Sequence, residues 1–370
     1  MNGVNGGNDT NPMAELSDQL WQALGECDET RAVAVVRRAL DTAEPGSAPA
    51  GGTSAAEGTR AAGERVLLEL IGPAQERVGL AWAANEITVG QEHAATAISE
   101  RCIAAVAAAA ATATSGPFVG RVLVACVDGE WHALPARLVS EVLRLRGWRV
   151  DYLGAHVPTE HLVAHARHTG AQAVLLSSSI PTLLPGAHNA ITACQGIGVP
   201  VIAGGAAFGP QGRYARLMRA EWAEDASGAA TVLGRNLTAA GAPAARPPDL
   251  DLPHLGDQEY TMIRRSRLQL TKQTLADVEM GFPEMGGYSE FQLDRTVEDI
   301  EFIVSYLATA VYVDDPPLFH RFVTWTAGIL AARDVPPRCL LPALDSLLSQ
   351  LKDFPRVVGI LTAAHGLVTP

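Results

Sequence analysis

The chain has 370 residues, of which 48% are hydrophobic, so it is long enough for two or three domains with their own cores. Its formal net charge of -12 and pI near 5.3 argue against a nucleic-acid-binding surface, which needs clustered lysine and arginine. The longest apolar stretch is about half the length that a bilayer requires, and the polar N-terminus lacks the apolar core of a signal peptide. We therefore expect a cytoplasmic protein that binds neither nucleic acid nor membrane.

The first part of the chain is predicted to be helical. Residues 1–12, rich in Asn and Gly, are expected to be a disordered tail, and residues 13–114 a helical bundle, because apolar residues recur at helical spacing without a strand. Pro45 to Gly63, rich in Gly, Ala, Ser and Pro, is predicted to be a flexible loop. A long alanine-rich helix from Thr88 to Thr112 closes the bundle.

Thr88-Val89-Gly90-Gln91 has the form of a capping box, which predicts that this last helix begins at Thr88. Val89, Glu92 and His93 then share one face of its first turn. Trp82, at the end of the preceding helix, could overhang the same space. The alternative is a core tryptophan beside a solvent-exposed polar pair.

Residues 118–240 alternate apolar strands with helices, which predicts a Rossmann-like, doubly wound parallel sheet. No Gly-x-Gly-x-x-Gly follows the first strand, so a dinucleotide site is not expected, and there is no Walker loop. The predicted strands are Val122–Val127, Arg149–Leu153, Ala173–Ser178, Val199–Gly204 and a short one at Trp222–Asp225.

The loop after the first strand, Gly129 to Pro135, lies where open α/β sheets bind ligands, at the carboxyl end of a strand. His132 is therefore a candidate metal ligand, with Glu130 placed to accept a hydrogen bond from one ring nitrogen. Trp131 and Leu134 are candidate cofactor contacts in the same loop. The alternative is an ordinary surface-loop histidine.

This loop resembles the Asp-x-His-x-x-Gly signature of cobalamin-binding domains, with Glu130 in the Asp position and Pro135 in the Gly position. The resemblance implies that His132 is the lower ligand of cobalt, in place of the benzimidazole of the cofactor. A serine segment and a Gly-Gly pair further on match the part of the signature that lines the tunnel for the nucleotide tail. The residues in those positions are Ser177, Ser178, Gly204 and Gly205.

Trp82, Val89, Glu92 and His93 resemble the cap of light-sensing cobalamin-binding regulators in identity and spacing. The resemblance implies that Trp82 covers the upper, adenosyl face of adenosylcobalamin and that Glu92 and His93 contact the adenosyl group. One departure is Ala83, because many members of that family have a histidine there that captures cobalt after photolysis. A different photoproduct, or a movement of His93, is then required.

After a linker predicted at residues 241–253, residues 254–370 are predicted to form an all-helical domain. The segment around Trp325 to Pro336 resembles sensor globins that lack haem, and the order of domains resembles that of the photocobilins. That resemblance implies a bilin chromophore, such as biliverdin, held by cations including Arg264 and Arg265 and by a polar partner such as His320. The alternative is a solvated cationic helix and core aromatic residues.

The sequence thus predicts a multidomain protein of α and α/β type, with a helical cap, a Rossmann-like sheet domain and an all-helical third domain. The resemblances imply that the third domain is globin-like and that the protein is a photoreceptor. It is expected to be a sensor rather than an enzyme, acting on a separate downstream protein through changed contacts. Two other functions stay open: a corrinoid carrier of a methyltransferase system and a cobalamin-dependent enzyme subunit. A carrier must open the upper face of its cofactor to partners, whereas the cap residues suit enclosure. Whether the chain is a homo-oligomer is left open.

Overall fold

The computed structural model describes residues 12–42, 54–111, 113, 117–239, 252–281, 283–287 and 289–368. The tail predicted at residues 1–11 and most of the predicted linker, 241–251, lie outside the described residues, as does the start of the predicted loop, 45–53. Residue 12 belongs to the first helix.

The N-terminal bundle contains helices that bury a common apolar core, as the helical spacing predicts. Ser54 and Glu57 form a capping box at the start of one of them, so the flexible loop predicted through Gly63 is wrong from Ala55 onward. The predicted capping box of Thr88 and Gln91 is confirmed. The helices are α1 (Pro12–Gly25), α2 (Glu29–Thr42), α3 (Ala55–Arg65), α4 (Gly72–Ala83) and α5 (Val89–Ala110), with a π-helical turn at Val66–Ile71 between α3 and α4.

The middle of the chain forms a five-stranded parallel sheet with the order β2-β1-β3-β4-β5, which confirms the Rossmann-like, doubly wound prediction. The chain crosses from one side of β1 to the other between β2 and β3, so the carboxyl end of β1 is the switch point at which such sheets bind ligands. The strands are β1 (Arg121–Cys126), β2 (Arg149–Gly154), β3 (Val174–Ser177), β4 (Val201–Gly204) and β5 (Glu221–Ala223). The helices are α6 (Leu134–Leu145), α7 (Thr159–Thr169), α8 (Leu184–Gly196), α9 (Arg213–Leu217) and α10 (Ala226–Ala239).

The C-terminal domain contains helices and no strand in the part that the structure describes, residues 252–281, 283–287 and 289–368. Its helices share one apolar core, which continues into the face of the sheet that α7 and α8 cover. Among the described residues, no helix has both the length and the apolar character needed to cross a membrane. The helices are α11 (Glu259–Gly281), α12 (Glu290–Tyr312), α13 (Pro316–Ala332), α14 (Leu341–Gln350) and α15 (Pro355–Val368).

The other face of the sheet domain contacts the helical bundle. Leu134, Val142 and Leu145 of α6 belong to the apolar core of the bundle, so α6 is packed on both sides. Arg146 adds an ion pair across this boundary, with its Nε donating to Glu64 of α3 at 3.0 Å. The bundle is thereby packed along α6, whose first residue, Leu134, follows the loop at the carboxyl end of β1.

Candidate corrinoid site

The loop between β1 and α6 places His132 at the carboxyl edge of the sheet. β1 is buried along its length, and Gly129 begins the loop with φ of +87°, a conformation that glycine adopts readily. The side chain of Glu130 then turns inward and is 0% exposed, whereas that of His132 is 58% exposed. One loop thus presents a buried acid and an accessible imidazole.

Glu130 fixes the orientation of His132. The His132 Nδ1 lies 2.6 Å from Oε1 of Glu130, and the same oxygen accepts the backbone N–H of His132 at 2.9 Å. Because Nδ1 is engaged by an acceptor, Nε2 is the nitrogen left for a metal. Within the described part of the chain, no hydrogen bond occupies Nε2.

The second oxygen of Glu130 holds the loop after β3. It accepts hydrogen bonds from the Ser178 hydroxyl at 3.0 Å, the Ser179 N–H at 2.6 Å and the Ile180 N–H at 3.1 Å. Ser178, which the sequence analysis assigned to the nucleotide tail, therefore supports the acid behind His132. The loops after β1 and β3 are therefore connected by hydrogen bonds to the carboxylate of Glu130.

These hydrogen bonds set the charges of the pair. Burial by itself would raise the pKa of Glu130, but the hydrogen bonds from His132, Ser179 and Ile180 outweigh it and lower the pKa to about 2. The hydrogen bond to Glu130 raises the pKa of His132 above its ordinary value, against the effect of burial, and the charges of Glu130 and Glu92 add to the rise. Glu130 is therefore an anion at neutral pH, as an orienting partner of a metal-binding histidine should be.

His156 also supports this loop, a role that the sequence analysis did not predict. Its Nδ1 accepts the Gly129 N–H at 2.8 Å, and its ring stacks on Trp131 with centroids 5.2 Å apart at an interplanar angle of 8°. Trp131 stays 71% exposed beside His132, whereas Leu134 is buried in the boundary with the bundle. Trp131 is thus available to a cofactor and Leu134 is a packing residue.

A narrow cavity of about 330 Å³ runs between the sheet and α6 toward the bundle. Ser177, Gly204 and Gly205 line it, together with apolar side chains such as Val139 and Ile202. A Cβ on Gly205 would lie 2.3 Å from the carbonyl oxygen of Ser178, and its φ is +99°, so this close approach of two loops requires glycine. The cavity fits the predicted tunnel for a nucleotide tail.

The predicted upper-face residues lie at the junction of α4 and α5. His93 Nδ1 lies 2.7 Å from Glu92 and 2.9 Å from the carbonyl oxygen of Val89, so the pair is preorganised. Glu92 also accepts a hydrogen bond from Thr96 at 3.1 Å. The charge of Glu92 also contributes to the raised pKa of His132, after the effects of Glu130 and of burial.

Trp82, half-buried at the end of α4, contacts the C-terminal domain. Its ring centroid lies 6.4 Å from that of Trp325 on α13, and the guanidinium carbon of Arg333 lies 5.4 Å from the indole. Sequence reasoning missed Arg333, because no local pattern relates it to a residue 251 positions away. Trp82 is therefore held by a second domain.

The three residues predicted to bind a bilin lie in three different places. Arg264 lines a cleft of about 710 Å³ between α8, α11 and α12, and Arg267, one turn along, lines it as well. Arg265 is exposed on another side of α11 and does not line this cleft. His320 lies between α13 and α15, where its Nε2 is 3.1 Å from the carbonyl oxygen of Ile360.

The residues present fit a corrinoid. A corrin ring supplies four nitrogens to cobalt, so the protein needs to add one axial ligand, and an oriented imidazole is suited to that position. Among the described residues, no group of three or more His, Cys, Asp or Glu side chains is arranged to hold a metal ion. His132 would hold the cobalt, while Ser177, Gly204 and Gly205 would border the tail.

Comparisons with known proteins agree with this geometry. Residues 120–232 match a family model described as B12 binding domain, and residues 16–107 match a second model with the same description. A search of curated proteins found no match.

Three similar solved structures have low identity and TM-scores. The monomethylamine corrinoid protein of Methanosarcina barkeri is 19% identical over 60% of this chain and 99% of its own, with a TM-score of 0.47. A cobalamin-binding protein of Desulfitobacterium hafniense is 19% identical over 60% and 97%, with a TM-score of 0.32. The methanol:cobalamin methyltransferase complex of M. barkeri is 15% identical over 61% and 81%, also with a TM-score of 0.32. The two family matches are the stronger finding: residues 16–107 and residues 120–232 are each similar to B12 binding domains.

Proposed function

We propose that the protein is a light sensor that encloses adenosylcobalamin between the helical bundle and the sheet domain, with His132 as the lower ligand. The observation that supports the proposal is the position of Trp82, whose ring lies 6.4 Å from that of Trp325 and 5.4 Å from the guanidinium carbon of Arg333 in the C-terminal domain. An enclosed face suits a bulky adenosyl group that stays bound until light acts. When bound, this cofactor supplies a cobalt–carbon bond that light can break.

The residues of this chain would detect that event from both sides. Trp82, Glu92 and His93 contact the upper group, whereas the Glu130 and His132 pair holds the lower face. Loss of the upper group therefore changes the contacts of two domains, and the balance between closed and open arrangements shifts. A separate downstream protein that reads this change is part of the proposal.

The alternative function is a corrinoid carrier for methyl transfer, for which the two B12-binding domains are equally suitable. The difference lies in access, since a carrier presents the upper face of its cofactor to partner enzymes. The fixed position of Trp82 disfavours such exchange.

The test is illumination of the purified protein loaded in darkness with adenosylcobalamin. We expect green light to change the absorption spectrum to that of a cobalamin without its adenosyl group. Illumination should also change the small-angle scattering curve or the oligomeric state. Trp82→Ala should reduce the preference for adenosylcobalamin over methylcobalamin by about tenfold, because the variant loses an aromatic contact surface at the centre of the site. Trp82→Phe, which retains an aromatic ring, is the matched variant.

Protein loaded with hydroxocobalamin is the control for heating and stray photochemistry. Tighter binding of methylcobalamin than of adenosylcobalamin, with identical scattering in dark and light, would favour the carrier function instead.

We further propose that the C-terminal domain is globin-like and binds a bilin such as biliverdin in the cleft between α8, α11 and α12. The support is the cleft itself, about 710 Å³ in volume and lined by Arg264, Arg267 and Tyr260. Two guanidinium groups one turn apart suit two propionates, and this volume lies within the range of small-molecule sites. His320, engaged with Ile360, is left as a structural residue in this proposal.

Biliverdin added to the purified protein is expected to give a structured red absorption band that survives desalting. Replacing Arg264 and Arg267 with alanine should weaken retention by about tenfold or more, because each loses a charge-assisted contact. Arg265→Ala is the control, since Arg265 lies on the same helix but outside the cleft. Equal loss in the control, or no retained bilin, would remove the bilin from the function.

A further inference from the structure

The helix α13 joins the sheet domain to the bundle. Asp315, which directly precedes α13, is buried. Its carboxylate forms an ion pair with Arg213 of α9 at 2.9 Å and accepts a hydrogen bond from the Tyr214 hydroxyl. Arg333, which directly follows the 17-residue helix, contacts the bundle at Trp82. A helix of this length spans about 25 Å. The C-terminal domain therefore contacts both the sheet domain and the bundle through one helix.

Arg333 makes three kinds of contact with the end of α4. Its Nη2 donates to the carbonyl oxygen of Trp82 at 3.2 Å, and its Nη1 to that of Ala83 at 3.4 Å. The guanidinium also lies over the indole of Trp82, 5.4 Å from the ring centroid. The last carbonyl groups of a helix lack partners within the helix and carry its negative pole, so a cation is stabilising there.

Through these contacts Arg333 restrains both the backbone and the ring of Trp82. The carbonyl oxygen of Trp82 also accepts the N–H of Asn85, whose φ of +60° turns the chain toward α5. Asn85 contacts the same end of α13, with its amide nitrogen 3.4 Å from the carbonyl oxygen of Ala332. The turn that carries the chain from Trp82 to Val89 is thus held from outside by residues of α13.

We propose that Arg333 is a positioning residue that holds Trp82 over the upper face of the corrinoid, so that the C-terminal domain controls how tightly the cap closes. Arg333 itself does not touch the cofactor in this proposal. It acts through the backbone and ring of Trp82. The part that concerns the upper face rests on the proposed function, whereas the contact between α13 and the cap does not.

The first measurement uses the cofactor-free chain, so that it is independent of the proposed function. Hydrogen–deuterium exchange of the peptide covering residues 80–88 should be about tenfold faster in Arg333→Ala, because two hydrogen bonds from a charged donor are lost. The exchange rate in Arg333→Lys should lie between those of the unaltered chain and Arg333→Ala, since lysine keeps the charge but lacks the guanidinium fork. Arg338→Ala, an exposed arginine five residues along, should match the unaltered chain.

The second measurement is the rate at which bound adenosylcobalamin or methylcobalamin leaves the protein in darkness. We expect about tenfold faster release from Arg333→Ala, partial recovery in Arg333→Lys and no change in Arg338→Ala. Exchange at residues 80–88 that equals that of the unaltered chain would overturn the contact itself. Faster exchange with unchanged release of both cobalamins would overturn the positioning role. If only the light response were missing, the proposed light-sensing function would be wrong. The role of Arg333 in holding the cap would still stand.

Discussion

Replacing His132 with alanine is expected to remove the lower protein ligand of the cobalt and to lower cobalamin affinity by about 100-fold or more, since changes that only disturb the orientation of a ligand already cost 10- to 100-fold. The absorption spectrum should change from that of histidine-ligated cobalamin to a form without a nitrogen ligand below. The physical reason is that His132 Nε2 is accessible while Nδ1 is committed to Glu130 at 2.6 Å.

Imidazole added to the His132→Ala protein should restore the spectrum in part, because the small base can enter the space of the missing ring. His161→Ala, an exposed histidine on α7, is the control for a general effect of removing a histidine. An unchanged spectrum in His132→Ala would show that another group ligates the cobalt.

The elements of the sheet domain could be predicted because parallel strands that are covered on both faces are short, continuous apolar runs. Val174 to Ser177, for example, is buried throughout, and the order β2-β1-β3-β4-β5 follows the common doubly wound pattern. The helix at Ala55–Arg65 was predicted to be a loop because Gly and Ala composition was given more weight than the capping box at Ser54. The local signal was present in the sequence.

The lower part of the site could also be predicted, because Glu130 and His132 lie within one loop. The hydrogen bond from Ser178 to Glu130 could not be predicted, since the sequence does not show which way a side chain at the end of a strand turns. Similarly, Arg264 and Arg267 face the cleft and Arg265 does not, a difference set by the rotation of α11 against its neighbours. Contacts between domains, such as that of Arg333 with Trp82, have no sequence signature at all.

Glu130 is expected to be the residue whose loss most destabilises the cofactor-free protein. Its carboxylate is fully buried and accepts the N–H groups of Ser179 and Ile180, the Ser178 hydroxyl and two groups of His132. Glu130→Gln replaces one acceptor oxygen with a donating NH₂ group that faces other donors. We expect the free energy of unfolding to fall by about 3 kcal/mol, because buried donors without acceptors each cost about 1–3 kcal/mol.

Glu130→Asp is the informative second variant, because it keeps the charge and matches the residue of the family signature but is one methylene shorter. Glu130→Asp should lose less stability than Glu130→Gln. Its shorter side chain should nevertheless accept the hydrogen bond from the Ser179 N–H less well than Glu130 does. Glu160→Gln, on the exposed surface of α7, is the control and should be within about 0.5 kcal/mol of the unaltered protein.

The stability difference between the unaltered protein and Glu130→Gln should depend on pH in a definite way. The pKa of Glu130 is lowered from 4.5 to about 2, so its contribution is complete above pH 4.5 and declines as pH falls toward 2. The pKa of His132 is raised from 6.5, so its contribution is complete below pH 6.5 and declines as pH rises through the raised value. The difference should therefore be largest between pH 4.5 and 6.5 and smaller on both sides. Urea unfolding of both proteins across this range measures it, and a difference independent of pH would mean that Glu130 and His132 do not form the ion pair in solution.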